Sequence, residues 1–230
     1  MKVIGIVPAR GGSKRFPRKN VALLGGRPLL AWTLRPALRC PGLDALVLTT
    51  DDDEIAAMGR TLGVRVLRRS ARLGADDVTV PEVVLATLDA LAADGERYDA
   101  AYALIPTSPF RSTETMERAL AAFHDAGAGA LVSVMPQEFP PEWTVELRDG
   151  FVYARDPDRY ALPRPALVPA YRPDGGHLIA TYAHLRRYGD FMGPGTLAFV
   201  APASERVDID TPHDLAYAAF LVAQSPALRP

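Results

Sequence analysis

The chain is poor in cysteine, lacks any long apolar run and carries almost no net charge. Cys40 is the single cysteine among 230 residues, so no intramolecular disulfide can form and a reducing compartment fits. No apolar stretch approaches the roughly 20 residues that span a bilayer, and the start lacks the charged and then apolar pattern of a secretory leader. The expectation is a soluble, cytoplasmic protein that binds no membrane. Lys and Arg number 26 against 27 Asp and Glu, a net charge of −1, which argues against bulk attraction to nucleic acid. Two phosphate-binding signatures are missing, Gly-x-x-x-x-Gly-Lys-[Ser/Thr] and Gly-x-Gly-x-x-Gly, which excludes a P-loop and a dinucleotide fingerprint. The four histidines (His124, His177, His184, His213) have no metal-ligand spacing and read as surface or structural residues. There is no internal repeat or low-complexity tract.

What is present is a globular balance, 48% hydrophobic and 23% charged, enough for one sizeable core. Strand-like and helix-like segments alternate. Strands are expected at 3–9, 45–50, 64–67, 100–105 and 130–134, with helices at 28–38, 55–62, 80–93 and 113–126. Strands at 178–182 and 196–200 and a helix at 211–223 close the chain. The alternation predicts an α/β fold with a doubly wound, mainly parallel sheet. Ligands then bind at the carboxyl ends of the strands, where three loops fall: Gly11-Gly12, Thr49–Asp51 and Pro106–Arg111.

The first of these loops is the most telling. The apolar run Val3–Ala9 ends in Arg10-Gly11-Gly12-Ser13-Lys14-Arg15-Phe16-Pro17-Arg18-Lys19-Asn20, with five cations in ten residues. Adjacent glycines let a backbone approach a ligand and turn its N–H groups inward, and the cations add full positive charge. Such a loop suits a polyphosphate; the competing reading is a solvated basic turn.

Pro8-Ala9-Arg10-Gly11-Gly12-Ser13-Lys14-Arg15, with Pro17 and Lys19-Asn20, resembles the signature of the acylneuraminate cytidylyltransferases, the family that makes CMP-sialic acids and their relatives. The resemblance implies a nucleotide-diphospho-sugar transferase-like fold. The implied reaction joins CMP from CTP to a 2-keto nine-carbon sugar acid, N-acetylneuraminate or a legionaminic- or pseudaminic-type relative, and releases pyrophosphate. It implies nucleotide contacts from Ala9, Arg10, Gly11, Gly12, Lys19 and Asn20, with Arg10 and Lys19 also catalytic. Arg72-Leu73 with Asp76-Asp77 resembles the segment beside the base pocket, which adds Arg72 and Asp76. The choice of CTP over UTP or ATP rests on the resemblance alone.

Two further motifs lie downstream. In Ile105-Pro106-Thr107-Ser108-Pro109-Phe110-Arg111, two hydroxyls and an arginine between prolines make a rigid polar corner, or equally an ordinary connection to a helix capped by Ser112 or Thr113. The family lines its sugar pocket with such a turn, implicating Thr107, Ser108 and Arg111, but usually has glutamine where this chain has Ile105. Val207-Asp208-Ile209-Asp210-Thr211-Pro212 puts two carboxylates on one side of an extended segment, a hard-oxygen site for Mg²⁺ that doubles as a helix cap. The family holds its divalent metal on such an Asp-x-Asp, so Asp208 and Asp210 are expected as metal ligands and catalytic residues. Asp51–Asp53 read as capping residues. Asp174-Gly175 falls where the family has an Asn-Gly turn at the sugar. Asp174 can accept but not donate a hydrogen bond there and would repel a sugar carboxylate.

Residues 137–173 break the alternation with prolines and one hairpin-like piece around Arg148-Asp149-Gly150. Phe139, Trp143, Phe151, Tyr153, Tyr160 and Tyr171 are too many aromatics for a disordered linker. The organisation expected is one nucleotidyltransferase domain over 1–230, with an inserted arm at about 137–173 that makes a homodimer. Two other readings stay open: a cytidylyltransferase for an eight-carbon sugar acid, and a non-catalytic nucleotide-binding module of the same fold.

Overall fold

Val3–Pro8 (β1) sends Ile4 and Ile6 into one apolar cluster and Val3 and Val7 into another, so the strand is buried on both faces. Only a central strand between two helical layers needs that pattern. The structure, a computed structural model, describes residues 1–225 apart from the side chain of Ala71. After β1 come a small hairpin of Leu23–Leu24 (β2) and Arg27–Pro28 (β3), and Leu29–Leu38 (α1). Gly25 and Gly26 turn that hairpin at φ 56° and 78°, a conformation open to glycine. Ala45–Thr50 (β4), Asp53–Thr61 (α2), Arg65–Arg68 (β5), Val80–Ala93 (α3), Ala100–Ala103 (β6), Thr113–Asp125 (α4) and Ala130–Pro136 (β7) follow. Then come Val145–Arg148 (β8), Phe151–Ala154 (β9), Pro157–Tyr160 (α5), Tyr171–Thr181 (β10), Tyr182–Tyr188 (α6), Leu197–Phe199 (β11) and Pro212–Gln224 (α7).

Seven strands form one sheet in the order β11-β7-β10-β6-β1-β4-β5. All neighbours pair parallel except β10, which runs antiparallel between β6 and β7. The mainly parallel α/β fold is therefore as expected. β10 begins at Tyr171, earlier than the expected Leu178, because its register on β7 shifts between Pro173 and Leu178. Helices α1, α2 and α4 cover one face; α3 and α6 cover the other. The chain winds outward from β1 in both directions, through β4 to β5 and then across to β6. The end of β1 is the switch point of the sheet, where a crevice opens.

A third, smaller cluster lies beside this end. Leu24, Leu29, Trp32, Phe110, Ile209, Ala218 and Val222 are buried together, with Phe16 and Val207 packed against them. Trp32 meets Phe110 edge-on at 5.7 Å between ring centroids and donates from Nε1 to Leu24 O at 3.0 Å. The basic loop and the Asp-x-Asp segment thus share one apolar footing.

Residues 137–170 leave the sheet between β7 and β10 and carry the β8–β9 hairpin. Phe139, Leu147, Phe151 and Val152 are each about two-thirds exposed or more. No helix among the described residues is long and apolar enough to cross a membrane.

Candidate active site

A cleft of about 300 Å³ opens at the ends of β1, β5 and β6, lined by Arg10, Lys19, Asn20, Arg69, Thr107 and Asp210 among others. Its cations are paired with acids on its walls. Arg10 Nη1 lies 3.0 Å from Asp76 Oδ1, and Lys14 Nζ lies 2.5 Å from Asp76 Oδ2. Lys19 Nζ sits 2.8 Å from Asp210 Oδ1, and Arg15 Nη2 sits 2.7 Å from Asp210 Oδ2. The Lys19 ammonium, with Arg15, holds the Asp210 carboxyl below the usual range; Lys14 and then Arg10 do the same for Asp76. Asn20 is buried and donates from Nδ2 to Arg10 O at 2.9 Å, fixing the start of the loop.

Arg69 is a site residue that sequence reading missed. Its side chain is 5% exposed, with Nη2 3.5 Å from Asp51 Oδ1, and Nε is buried without a partner among the described residues. Burial pushes its pKa down, yet guanidinium stays charged, so a cation with a long carboxylate contact stands in the cleft wall. Arg72, the expected contact, is mostly exposed, pairs with Asp77 at 3.1 Å and does not line the cleft.

The glycines also differ from expectation. Neither Gly11 nor Gly12 has a positive φ or lines the cleft, and Ala9 is buried behind it. The Gly11 N–H donates to Asp51 Oδ1 at 3.2 Å and so does not face a ligand. Gly11 is needed by packing, since a Cβ there would stand 2.5 Å from Asp52 Oδ2, whereas Gly12 has open space. Asp52 caps α2 as expected, accepting from Ile55 N at 2.9 Å. Asp51, also expected as a cap, does not cap α2; its Oδ1 joins Gly11 to Arg69 instead.

The Asp-x-Asp segment has no regular secondary structure and lies outside the sheet. Buried Ile209 stands between the two acids: Asp210 lines the first cleft and Asp208 lines a second, of about 440 Å³, with Met135, Arg172, Gly175 and Tyr217. Crowding by neighbouring atoms raises the Asp208 carboxyl above its usual value, Thr107 hydrogen-bonds to it, and the charge of Asp210 raises it further. Asp208 keeps solvent access, so that desolvation is partial. Among the described residues no group of three or more His, Cys, Asp or Glu side chains is placed to hold a metal ion. Asp208 and Asp210 feel each other's charge, and a carboxylate pair suits a hard cation that takes its remaining ligands from phosphate and water.

The other sugar-side candidates divide. Thr107 lines the first cleft and Gly175, at φ 72°, the second. Ser108 and Arg111 are buried and line neither; Arg111 donates from Nε to Gly176 O at 2.6 Å. Asp174 borders the second cleft but turns its carboxylate inward. Its Oδ1 accepts from Ser133 Oγ and from Gly176 N at 2.9 Å, and its Oδ2 is shielded from solvent. The expectation of a carboxylate facing a sugar hydroxyl is not met here, because burying Ser133 and the Gly176 amide calls for an acceptor.

A switch-point cleft walled by cations, joined by a carboxylate pair to a second cleft, defines an α/β nucleotidyltransferase. The sequence profile described as cytidylyltransferase matches residues 4–137. The chain is 32% identical over 223 residues to the CMP-N,N'-diacetyllegionaminic acid synthase of Legionella pneumophila, covering 94% of each. It is 30% identical to a pseudaminic acid cytidylyltransferase of Campylobacter jejuni, covering 96% of each. Among solved structures, a CMP:2-keto-3-deoxy-manno-octonic acid synthetase complexed with CTP has a TM-score of 0.70 at 17% identity, over 97% of this chain and 99% of that one, a likeness of fold alone. The chain belongs to the cytidylyltransferase family and is a nucleotidyltransferase.

Proposed function

We propose that the protein transfers CMP from CTP to a 2-keto nine-carbon sugar acid of the sialic, legionaminic or pseudaminic type. The observation that carries this reading is the Asp208/Asp210 pair, with one carboxylate in the cationic cleft and the other in the second cleft. Full-length identity to the legionaminic and pseudaminic enzymes sets the substrate class. Relatives matched over more than nine-tenths of this chain include legionaminic, pseudaminic and N-acylneuraminate enzymes, which favours a nine-carbon acid over an eight-carbon one. Intact cations and carboxylates disfavour a non-catalytic module.

In this reading the triphosphate lies in the first cleft on Arg10, Lys14, Arg15, Lys19 and Arg69, and the sugar acid lies in the second, its carboxylate toward Arg172. Arg172 is exposed and has no ion pair among the described residues. The anomeric oxygen bonds to the α-phosphorus, the bond to pyrophosphate breaks, and the hydroxyl proton is released. The chain's part is positioning and charge neutralisation. Asp208 and Asp210 would hold Mg²⁺, which supplies Lewis-acid stabilisation of phosphate charge when bound. A free buried Cys40 thiol and CTP as donor fit a cytoplasmic enzyme. The exposed arm, residues 137–170, fits a homodimer contact. The test is pyrophosphate release with CTP, UTP and ATP against a panel of eight- and nine-carbon sugar acids. Release with CTP and a nine-carbon acid is expected; none with any pair would refute the reading.

A further inference from the structure

The segment that carries Asp208 and Asp210 is tied to the rest of the protein mainly by side chains. From Ala203 to Asp210 its single backbone bond to another part of the chain, among the described residues, is Ile209 N to Thr107 O, 2.9 Å. The other backbone bonds there are local turns, and Asp214 caps the far end by accepting from Asp210 N at 3.0 Å. One residue adds a second fixed point. Glu205 is nearly buried, 8% exposed, and its Oε1 accepts from Ser112 Oγ at 2.7 Å, Thr115 Oγ1 at 2.8 Å and Ser112 N at 3.3 Å. Its Oε2 faces His177 Nε2 at 3.6 Å and has no hydrogen-bond partner.

These ties run in opposite chain directions. Glu205 meets Ser112 at the start of α4, while Ile209 and Asp208 meet Thr107 five residues earlier. The 107–112 turn and the 205–209 segment are therefore clamped at both ends. Asp210 is held from its own side by Lys19, Arg15 and Asp214, whereas Asp208 has Thr107, so without Glu205 the upstream end of the segment would be free to carry Asp208 away from Asp210.

We infer that Glu205 is a positioning residue which holds Asp208 and Asp210 at the spacing a divalent cation needs. A neutral core would not require a carboxylate here, and burying one is costly without several donors. Here three donors converge on one oxygen. The role depends on the oxygen acceptor more than on the charge. The inference rests on the reading of Asp208 and Asp210 as the cation site.

The test is Mn²⁺ binding followed by electron paramagnetic resonance, on full-length protein with CTP present, alongside CTP binding without metal and a melting curve. Glu205→Ala should weaken Mn²⁺ binding by at least about tenfold, a size usual for lost supporting contacts at metal sites. CTP binding without metal should stay within about twofold, because no cation of the first cleft is touched. Glu205→Gln keeps the acceptor and should bind Mn²⁺ nearly as the unaltered protein does. If Glu205→Ala fails to fold, Thr115→Val removes one donor to Oε1 and should give a smaller shift in the same direction. Unchanged Mn²⁺ affinity in Glu205→Ala, or in Thr115→Val where only that variant folds, would overturn the inference. So would a Glu205→Gln as weak as Glu205→Ala. If the unaltered protein itself binds no Mn²⁺ with CTP, the cation site fails, and with it the ground for this role.

Discussion

Asp210 is held by Lys19 and Arg15, and Asp76 by Arg10 and Lys14, so four loop cations are already satisfied before any ligand arrives. In the proposed reading a triphosphate competes with two carboxylates for these cations, which would free Asp210 for a cation. Asp210→Asn should therefore abolish Mg²⁺-dependent turnover while the fold survives, since the side chain is about one-third exposed. Near-normal turnover of this variant at limiting Mg²⁺ would remove Asp210 from the metal site. Arg69 differs, because its carboxylate contact, to Asp51, is long at 3.5 Å. Arg69→Ala should raise the KM for CTP or lower kcat/KM at least tenfold, about 1.4 kcal/mol, and unchanged kinetics would reduce Arg69 to a structural cation. At this scale the sequence showed which residues were polar but not which way they point. Arg10, Lys19 and Asp210 were readable because a strand, a loop of cations and an acidic pair admit few arrangements. Arg69 was hidden among Arg68, Arg69 and Arg72, and only the end of β5 decides which of these enters the cleft. The inward turn of Asp174 depends on Ser133, 41 residues away, and no local pattern reveals it.

Among the elements, α7 and the preceding loop matter most, because Ile209 anchors the acidic segment in the small cluster with Trp32 and Phe110. Ile209→Ala should cost about 2–5 kcal/mol of stability, the usual range for emptying a buried aliphatic site. A chemical melt unchanged within error would show that the cluster does not support the segment. β10 contributes His177, whose ring is 1% exposed and whose Nδ1 takes the Tyr102 hydroxyl. Burial, with Arg111 adding to it, pushes the imidazole below its ordinary pKa. The unfolded chain therefore takes up a proton near pH 6.5 that the folded protein refuses until lower pH. Stability is full above about 6.5 and falls as pH drops below it, so His177→Gln should flatten the dependence of Tm on pH between 5 and 7. An identical slope in both proteins would assign the loss elsewhere. Most elements were legible from apolar periodicity, because buried parallel strands such as Ala100–Ala103 are continuous apolar runs. The sequence reading lacked α6, which is short, and the β2–β3 hairpin, whose strands are two residues each. It also did not give the antiparallel direction of β10, which is set by its partners β6 and β7 rather than by its own residues.

For the whole molecule, the unanswered feature is the arm. Leu147, Phe151 and Val152 are 76%, 67% and 64% exposed on one hairpin, and Tyr171 and Val168 extend the apolar surface to the base of the arm. A 230-residue chain with two clusters across its sheet does not need this surface for its own core, and such a patch in water favours association. The sequence revealed the arm through its prolines and aromatics. What would cover it could not be read there, because a single chain supplies at most one side of a contact. A homodimer is expected at micromolar concentration, and deleting the hairpin tip should give monomers or aggregates by light scattering. A well-behaved monomer of the full chain would refute the arm as a contact. The arm also carries Arg164, and Arg172 lies at its base beside the second cleft. If a partner's arm supplies a cation to the sugar carboxylate, two inactive variants should complement each other. Mixing Arg164→Ala with Asp210→Asn would then restore up to about one quarter of full activity, since random exchange places both intact halves at one site in half of the dimers. After verified subunit exchange, activity no higher than that of either variant alone would mean that each active site is built from one chain.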